Sequence, residues 1–208
     1  MNGSFRIFAR QCVMIIAMSV SAMQPVAAQQ RQLLEYPSIH SPTVGQRGMV
    51  VSQNAMASQA GAAIIRQGGN AVDAAVAMGF VLAVTLPRAG NIGGDGFMLV
   101  HDAASGRDVF FDFRSVAPRS ATLSMFLDNQ GREAALASRG YRAPSVPGTV
   151  AGLYLAHQRF GRLPWADVVA PAIALARDGV RLTPDEAFVF SWGQERLSTS
   201  DAARSTFY

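Results

Sequence analysis

Residues 71–85 (AVDAAVAMGFVLAVT) constrain this chain more than any other stretch. They read as a helix that is apolar around most of its circumference. Such a helix cannot lie on a surface; it must be covered on more than one side. Other elements therefore have to pack around it. With 50% hydrophobic and 15% charged residues, the chain has the material for that core. The start of the helix is marked in the sequence. Asn70 can cap it, and Asp73 three residues on places a carboxylate at the amino end. Pro87 stops it.

The flanking segments suggest what does the covering. Residues 48–52 (GMVVS) read as a short strand. Asn54 can cap a helix over 55–67, with Gly68-Gly69 as its stop. A glycine-rich turn, 90–96 (GNIGGDG), follows the central helix. Residues 97–101 (FMLVH) and 108–113 (DVFFDF) flank a turn at Ala104-Ser105-Gly106, so 97–113 is predicted to be an antiparallel hairpin. The stretch 118–148 is loop-rich. Helices are expected over 149–160, over 164–177 with Pro171 bending it, and from 184 to about 197. Thr149 reads as a helix cap. Helices laid over an antiparallel hairpin make an α+β chain. About three strands against five helices points to a sheet whose other strands lie elsewhere.

The first 28 residues read as an address. Arg6 and Arg10 precede an apolar run over 12–23, and Val26-Ala27-Ala28 supplies the small residues of a cleavage site. About 12 apolar residues are too few to cross a ~30 Å hydrocarbon layer, so the segment is expected to be a cleaved signal and not a stable membrane anchor. Periplasmic or secreted protein is the expected product. Residues 29–47 read as an extended arm, and 48–208 as the folded part. Loss of Arg6 and Arg10 leaves 16 Arg against 14 acids, and no basic run remains to track the phosphates of a nucleic acid. All 18 basic residues are Arg, which excludes a Schiff-base or phosphate-loop lysine. The single cysteine, Cys12, lies in the signal, so neither a disulfide framework nor a multi-cysteine metal site is available.

Candidate chemistry is sparse. The glycine turn runs from helix into strand, the reverse of a phosphate loop, and no Lys or Ser/Thr follows its last glycine. Gly93, Gly94 and Gly96 are instead expected to allow positive φ and close backbone contact, or to turn amide N–H groups toward a polar site. His40, His101 and His157 lack metal-ligand spacing. Ser145 and Thr149 have no identifiable base. Asp95 and Asp112 could pair only if the fold brought them together. Arg114 is the best single candidate. It leaves a strand ending in Phe111-Asp112-Phe113, and a guanidinium at such an edge can grip a carboxylate with two parallel hydrogen bonds.

Several segments together resemble one known family. They are GMVVSQNAMASQAGAAIIRQGGNAVDAAVAMGFVLAVTLPRAGNIGGDGFMLV (48–100), DFRSVAP (112–118) and PSVPGTVAGLYLAHQRFGRLPWADVVAPAIALARDG (144–179). Their order and spacing are similar to the opening of the large subunit of gamma-glutamyltransferases (gamma-glutamyltranspeptidases, glutathione hydrolases), over about residues 45–208. The resemblance implies part of a four-layer αββα sandwich of the N-terminal nucleophile hydrolase class. It implies a precursor that cuts itself in two, and a threonine at the new amino terminus that attacks a γ-glutamyl amide with its own α-amino group as base. Water or an acceptor amine then takes the acyl group. No cofactor is implied. The expected partners are a small-molecule γ-glutamyl substrate and a small subunit from the same precursor.

In that family the arginine of F-R-x-x-A-P binds the α-carboxylate of the glutamyl group, which implies this role for Arg114. Two positions depart from the pattern. Ser115 stands where Glu is common, and Asp95 replaces a glycine of the turn. An acid there could shift preference toward related acyl amides such as glutaryl side chains. No segment matches the threonine nucleophile or the residues that hold the donor's α-amino group, so this chain by itself is expected to be a truncated, inactive part. Two other possibilities share these residues: a cephalosporin (glutaryl) acylase-like amidohydrolase of the same fold, and an exported scaffold domain without catalysis.

Overall fold

Two asparagines fix where the first helices begin. In a computed structural model that describes residues 44–46, 48–133, 138 and 140–208, the Oδ1 of Asn54 accepts from the amides of Met56 and Ala57 at 2.9 and 3.3 Å. This caps α1 (Ala55–Arg66), and Gly68 takes φ +94° just beyond its end. Asn70 caps α2 (Ala71–Thr85) in the same way. Asp73 returns the bond by accepting the Asn70 amide at 2.9 Å, which closes a capping box. The segment 1–28 and most of 29–47 lie outside the described residues.

The enclosure demanded by α2 is met. It packs against α1, against α3 (Thr149–Phe160) and against α4 (Trp165–Asp178). Val76, Ala77 and Val81 are completely buried. Phe80 meets the edge of Trp165 at 5.5 Å between ring centres. Asp73 is also completely buried. Its carboxylate accepts the Arg162 amide at 3.1 and 3.0 Å, so one residue both starts α2 and anchors the loop between α3 and α4. Those bonds offset the cost of taking a carboxylate out of water. His157, at the end of α3, lies 2.9 Å from the Leu163 carbonyl and 3.5 Å from Asp73.

The hairpin forms as expected. Strand β1 (Phe97–Asp102) pairs antiparallel with β2 (Arg107–Asp112) in the register Phe97↔Asp112 to Asp102↔Arg107. Gly106 turns the chain at φ +67°. One face, with Met98, Val100, Val109 and Phe111, joins the core under the helices. The other face is open: Phe97, Leu99 and Phe110 are exposed, and the two phenylalanine rings stack at 5.6 Å.

Two expectations need correction. Residues 48–52 are not a strand, because no described backbone lies beside them to complete a ladder; Val50 packs on the core while Val51 faces solvent. The described sheet therefore has two strands. Beyond α5 (Pro184–Leu197), which Thr183 caps, a short α6 (Asp201–Phe207) was not legible as a separate element. The α5 helix is tied to the turn after α2 by an Arg88–Glu186 ion pair at 2.5 Å, with Glu186 almost wholly buried.

Candidate functional site

Three separate sequence segments meet where β2 ends. The glycine turn 90–96, the strand exit 112–118 and the loop 144–152 are bonded to one another. The Gly148 and Thr149 amides donate to the Gly94 carbonyl at 2.9 and 3.2 Å, and the Phe113 amide donates to the Gly96 carbonyl at 3.2 Å. Val116 and Val146 exchange backbone bonds at 3.2 and 2.9 Å, an isolated antiparallel bridge. Asn91 ties the turn to α3. Its Oδ1 accepts from the Gly94 amide at 2.9 Å and from the Thr149 hydroxyl at 2.5 Å. Thr149 is thus not the cap of α3. Gly148 holds that position without a side-chain bond, because the Thr149 hydroxyl is committed to Asn91.

The glycines of these segments serve close approach to one residue, Phe113. A methyl group on Gly96 would stand 2.7 Å from the Phe113 ring. One on Gly152 would overlap that ring, and one on Gly148 would overlap the Phe113 carbonyl. Bare backbone on three sides therefore forms a cradle for Phe113, and the next residue leaves the cradle in a fixed direction. The expectation of positive φ at Gly93, Gly94 and Gly96 is not met; none of them is in the left-handed region. Sterics, not conformational freedom, require glycine at Gly96, Gly148 and Gly152. The Gly94 amide is spent on Asn91 and so is not offered to a ligand.

The residue that emerges is Arg114. Its backbone amide donates to Asp112 Oδ1 at 2.9 Å. Its Nη1 donates to Asp95 Oδ1 at 2.8 Å, and its guanidinium carbon lies 6.0 Å from the centre of the Phe97 ring. The side chain is 60% exposed, and Nη2 and Nε have no partner among the described residues. Asp95 is held at both oxygens, because its Oδ2 accepts from the Ser115 hydroxyl at 2.5 Å and from the Ser115 amide at 3.1 Å. These bonds from Ser115, with the Arg114 charge beside them, hold the Asp95 carboxyl below the usual 3.8. Asp95 and Asp112 each bond a different part of Arg114, its guanidinium and its backbone amide.

Other candidates do not join this cluster. His101 pairs with Asp108 at 2.8 Å at the exposed end of the hairpin, and His157 is part of the Asp73 knot. His40 lies outside the described residues. Ser145 is exposed. Among the described residues no group of three or more His, Cys, Asp or Glu side chains could hold a metal ion, and no helix is long and apolar enough to cross a membrane. Two surface clefts, one beside Trp192 and Arg196 and one beside Met49 and Ile65, are lined by residues outside the cluster. Asn91 was missed in the sequence. Its spacing of three from Gly94 is that of a side chain closing its own turn, which could have been read.

The fold has clear counterparts. Residues 57–208 match the family model described as gamma-glutamyltranspeptidase. The crystal structure of Helicobacter pylori gamma-glutamyltranspeptidase superposes with a TM-score of 0.76 at 40% identity, over 79% of this chain and 47% of that one. Cephalosporin acylase from Bacillus halodurans superposes with a TM-score of 0.64 at 31% identity, over 80% of this chain and 32% of that one. The class is therefore that of the N-terminal nucleophile hydrolases, with this α+β chain forming part of the αββα sandwich. Within that class the chain belongs to the gamma-glutamyltranspeptidase family. It is 40% identical over 206 residues to the glutathione hydrolase proenzyme of Escherichia coli K12, over 97% of this chain and 35% of that protein. The chain thus spans about a third of the length of that relative.

Proposed function

We propose that this chain is the amino-terminal part of the large subunit of an exported γ-glutamyl hydrolase or transferase, in which Arg114 holds the α-carboxylate of the donor. The observation that carries this is the state of Arg114. It stands at the exit of a cradled strand, fixed on one side, with a free pair of N–H donors in solvent. Nη2 and Nε share one edge of the guanidinium, the geometry for two parallel bonds to a carboxylate.

The chemistry then divides between two polypeptides cut from one precursor. This chain binds and orients the donor through its carboxylate. A threonine at the amino terminus of the small subunit attacks the γ-carbonyl carbon. The C–N bond of the amide breaks, its nitrogen leaves as an amine after taking a proton, and an ester joins the γ-glutamyl group to the enzyme. Water or an acceptor amine cleaves that ester. Holding the donor at its far end fixes the distance from nucleophile to carbonyl, which is where binding becomes rate. Residues 1–28 serve export, and no cofactor enters the reaction.

The test uses the full-length precursor that contains this chain. Replacement of Arg114 by Ala is expected to raise KM for a γ-glutamyl anilide by about ten- to a hundredfold, the range for loss of a charge-assisted pair, while self-cleavage persists. Unchanged kinetics would remove Arg114 from the site. The likeness to a cephalosporin acylase favours one second donor class, glutaryl amides, whose terminal carboxylate the same guanidinium could grip. A glutaryl anilide cleaved faster than the γ-glutamyl one would move the assignment to it.

A further inference from the structure

We propose that Asp95 is a positioning residue that selects which edge of Arg114 faces the donor, and that it thereby makes the site selective for donors bearing an α-carboxylate. This rests on the reading of Arg114 given above. A guanidinium on a long, exposed side chain has many orientations, and a carboxylate ligand has to freeze one of them. Here the freezing is done in advance. Asp95 Oδ1 takes Nη1, and the Phe97 ring lies at 6.0 Å from the guanidinium carbon.

Asp95 itself cannot swing away. Its other oxygen is locked by both the amide and the hydroxyl of Ser115, and its side chain is only 19% exposed. The Arg114 backbone is pinned in turn by Asp112 and by the cradle around Phe113. With one N–H of Nη1 on Asp95, the nitrogens without a partner among the described residues are Nη2 and Nε, and these two share one edge. A carboxylate landing there finds two parallel N–H groups already aligned. Asp95 is also an anion near the incoming one. It stays tolerable because it sits on the opposite side of the shared cation and is neutralised by Arg114 and two Ser115 donors. Asp95 therefore does not touch the donor. It acts through Arg114, in contrast to a direct effect of its charge on acyl-group choice.

The experiment compares two donors on the processed full-length enzyme: a γ-glutamyl anilide, and the same anilide with its α-carboxylate converted to a carboxamide. Replacement of Asp95 by Ala is expected to raise KM for the first by about tenfold, with kcat within about twofold, and to leave KM for the carboxamide unchanged. The conservative Asp95→Asn, which keeps an acceptor toward Nη1, is expected to restore most of the selectivity. An Asp95→Ala enzyme that discriminates the donors as wild type does would overturn the proposal, and so would an equal rise in KM for both, which marks a merely structural role. If Arg114→Ala still discriminates the two donors as wild type does, the reading of Arg114 fails as well. If it loses discrimination while Asp95→Ala keeps it, only the present proposal fails. Where Asp95→Ala does not mature, Ser115→Ala decides: it removes the hydroxyl, one of the two donors that hold Oδ2, without removing charge, and a KM rise confined to the carboxylate donor supports positioning while unchanged selectivity overturns it.

Discussion

The layer around α2 and the cluster around Arg114 are held together by opposite means. Around α2, large apolar side chains fill the space; Ile64, Val76, Val81 and Val168 are completely buried. Around Phe113, side chains are missing where space is needed: its ring closes in on Gly96 and Gly152, and its carbonyl on Gly148. The first arrangement draws on burial of apolar area and accepts substitutions that keep volume. The second draws on contact at backbone distance and accepts almost nothing larger than hydrogen. The stability of this chain and the aim of its candidate site are therefore separately encoded.

Substitutions can break that contrast in order of effect. The largest is expected in the helix layer: Ile64→Ala should lower stability by about 2–5 kcal/mol, read as a shift of the urea midpoint, because it empties a fully buried site. Next comes Gly152→Ala, whose added methyl overlaps the rigid Phe113 ring. It should cost about 1–3 kcal/mol although alanine is the better helix former. Gly79→Ala is the control inside α2. There the methyl would stand 3.1 Å from the end of the flexible Leu153 side chain, so the change should be smaller than about 1 kcal/mol. Equal losses at Gly79 and Gly152 would dissolve the distinction.

The smallest effect is electrostatic. The Asp95 carboxyl is held below 3.8 chiefly by Ser115, with Arg114 adding to it. A depressed value in the folded state means that the stabilisation is complete above the ordinary aspartate range and is lost as pH falls through the lowered value. The Tm difference between the native sequence and Asp95→Asn should therefore stay constant from about pH 7 to pH 5 and close below pH 3.8. A difference that closes already near neutrality would contradict the assignment.

The two regions also differ in how far the sequence revealed them. The caps at Asn54 and Asn70, the box with Asp73 and the enclosure of α2 follow from spacings of two to four residues, and a local pattern is visible in a linear sequence. The hairpin is legible for the same reason. Arg114 could be singled out because it closes an apolar strand. Its fixation could not, since Asp95 lies 19 residues away and Asn91 meets Thr149 across 58. The strand expected at 48–52 failed because alternating apolar residues show what could pair and say nothing of whether a partner is there. The turn glycines were expected to allow positive φ and close contact; the positive φ is absent, while close contact is found at Gly96, and what makes it could not be read because Phe113 approaches from another segment.

The most direct measurement is a crystal structure of the processed full-length enzyme with glutamate bound. The α-carboxylate oxygens should lie about 2.7–2.9 Å from Nη2 and Nε of Arg114, with Nη1 still on Asp95. A glutamate whose α-carboxylate is held by other residues, with the Arg114–Asp95 pair standing apart in solvent, would contradict the placement of Arg114 in the site.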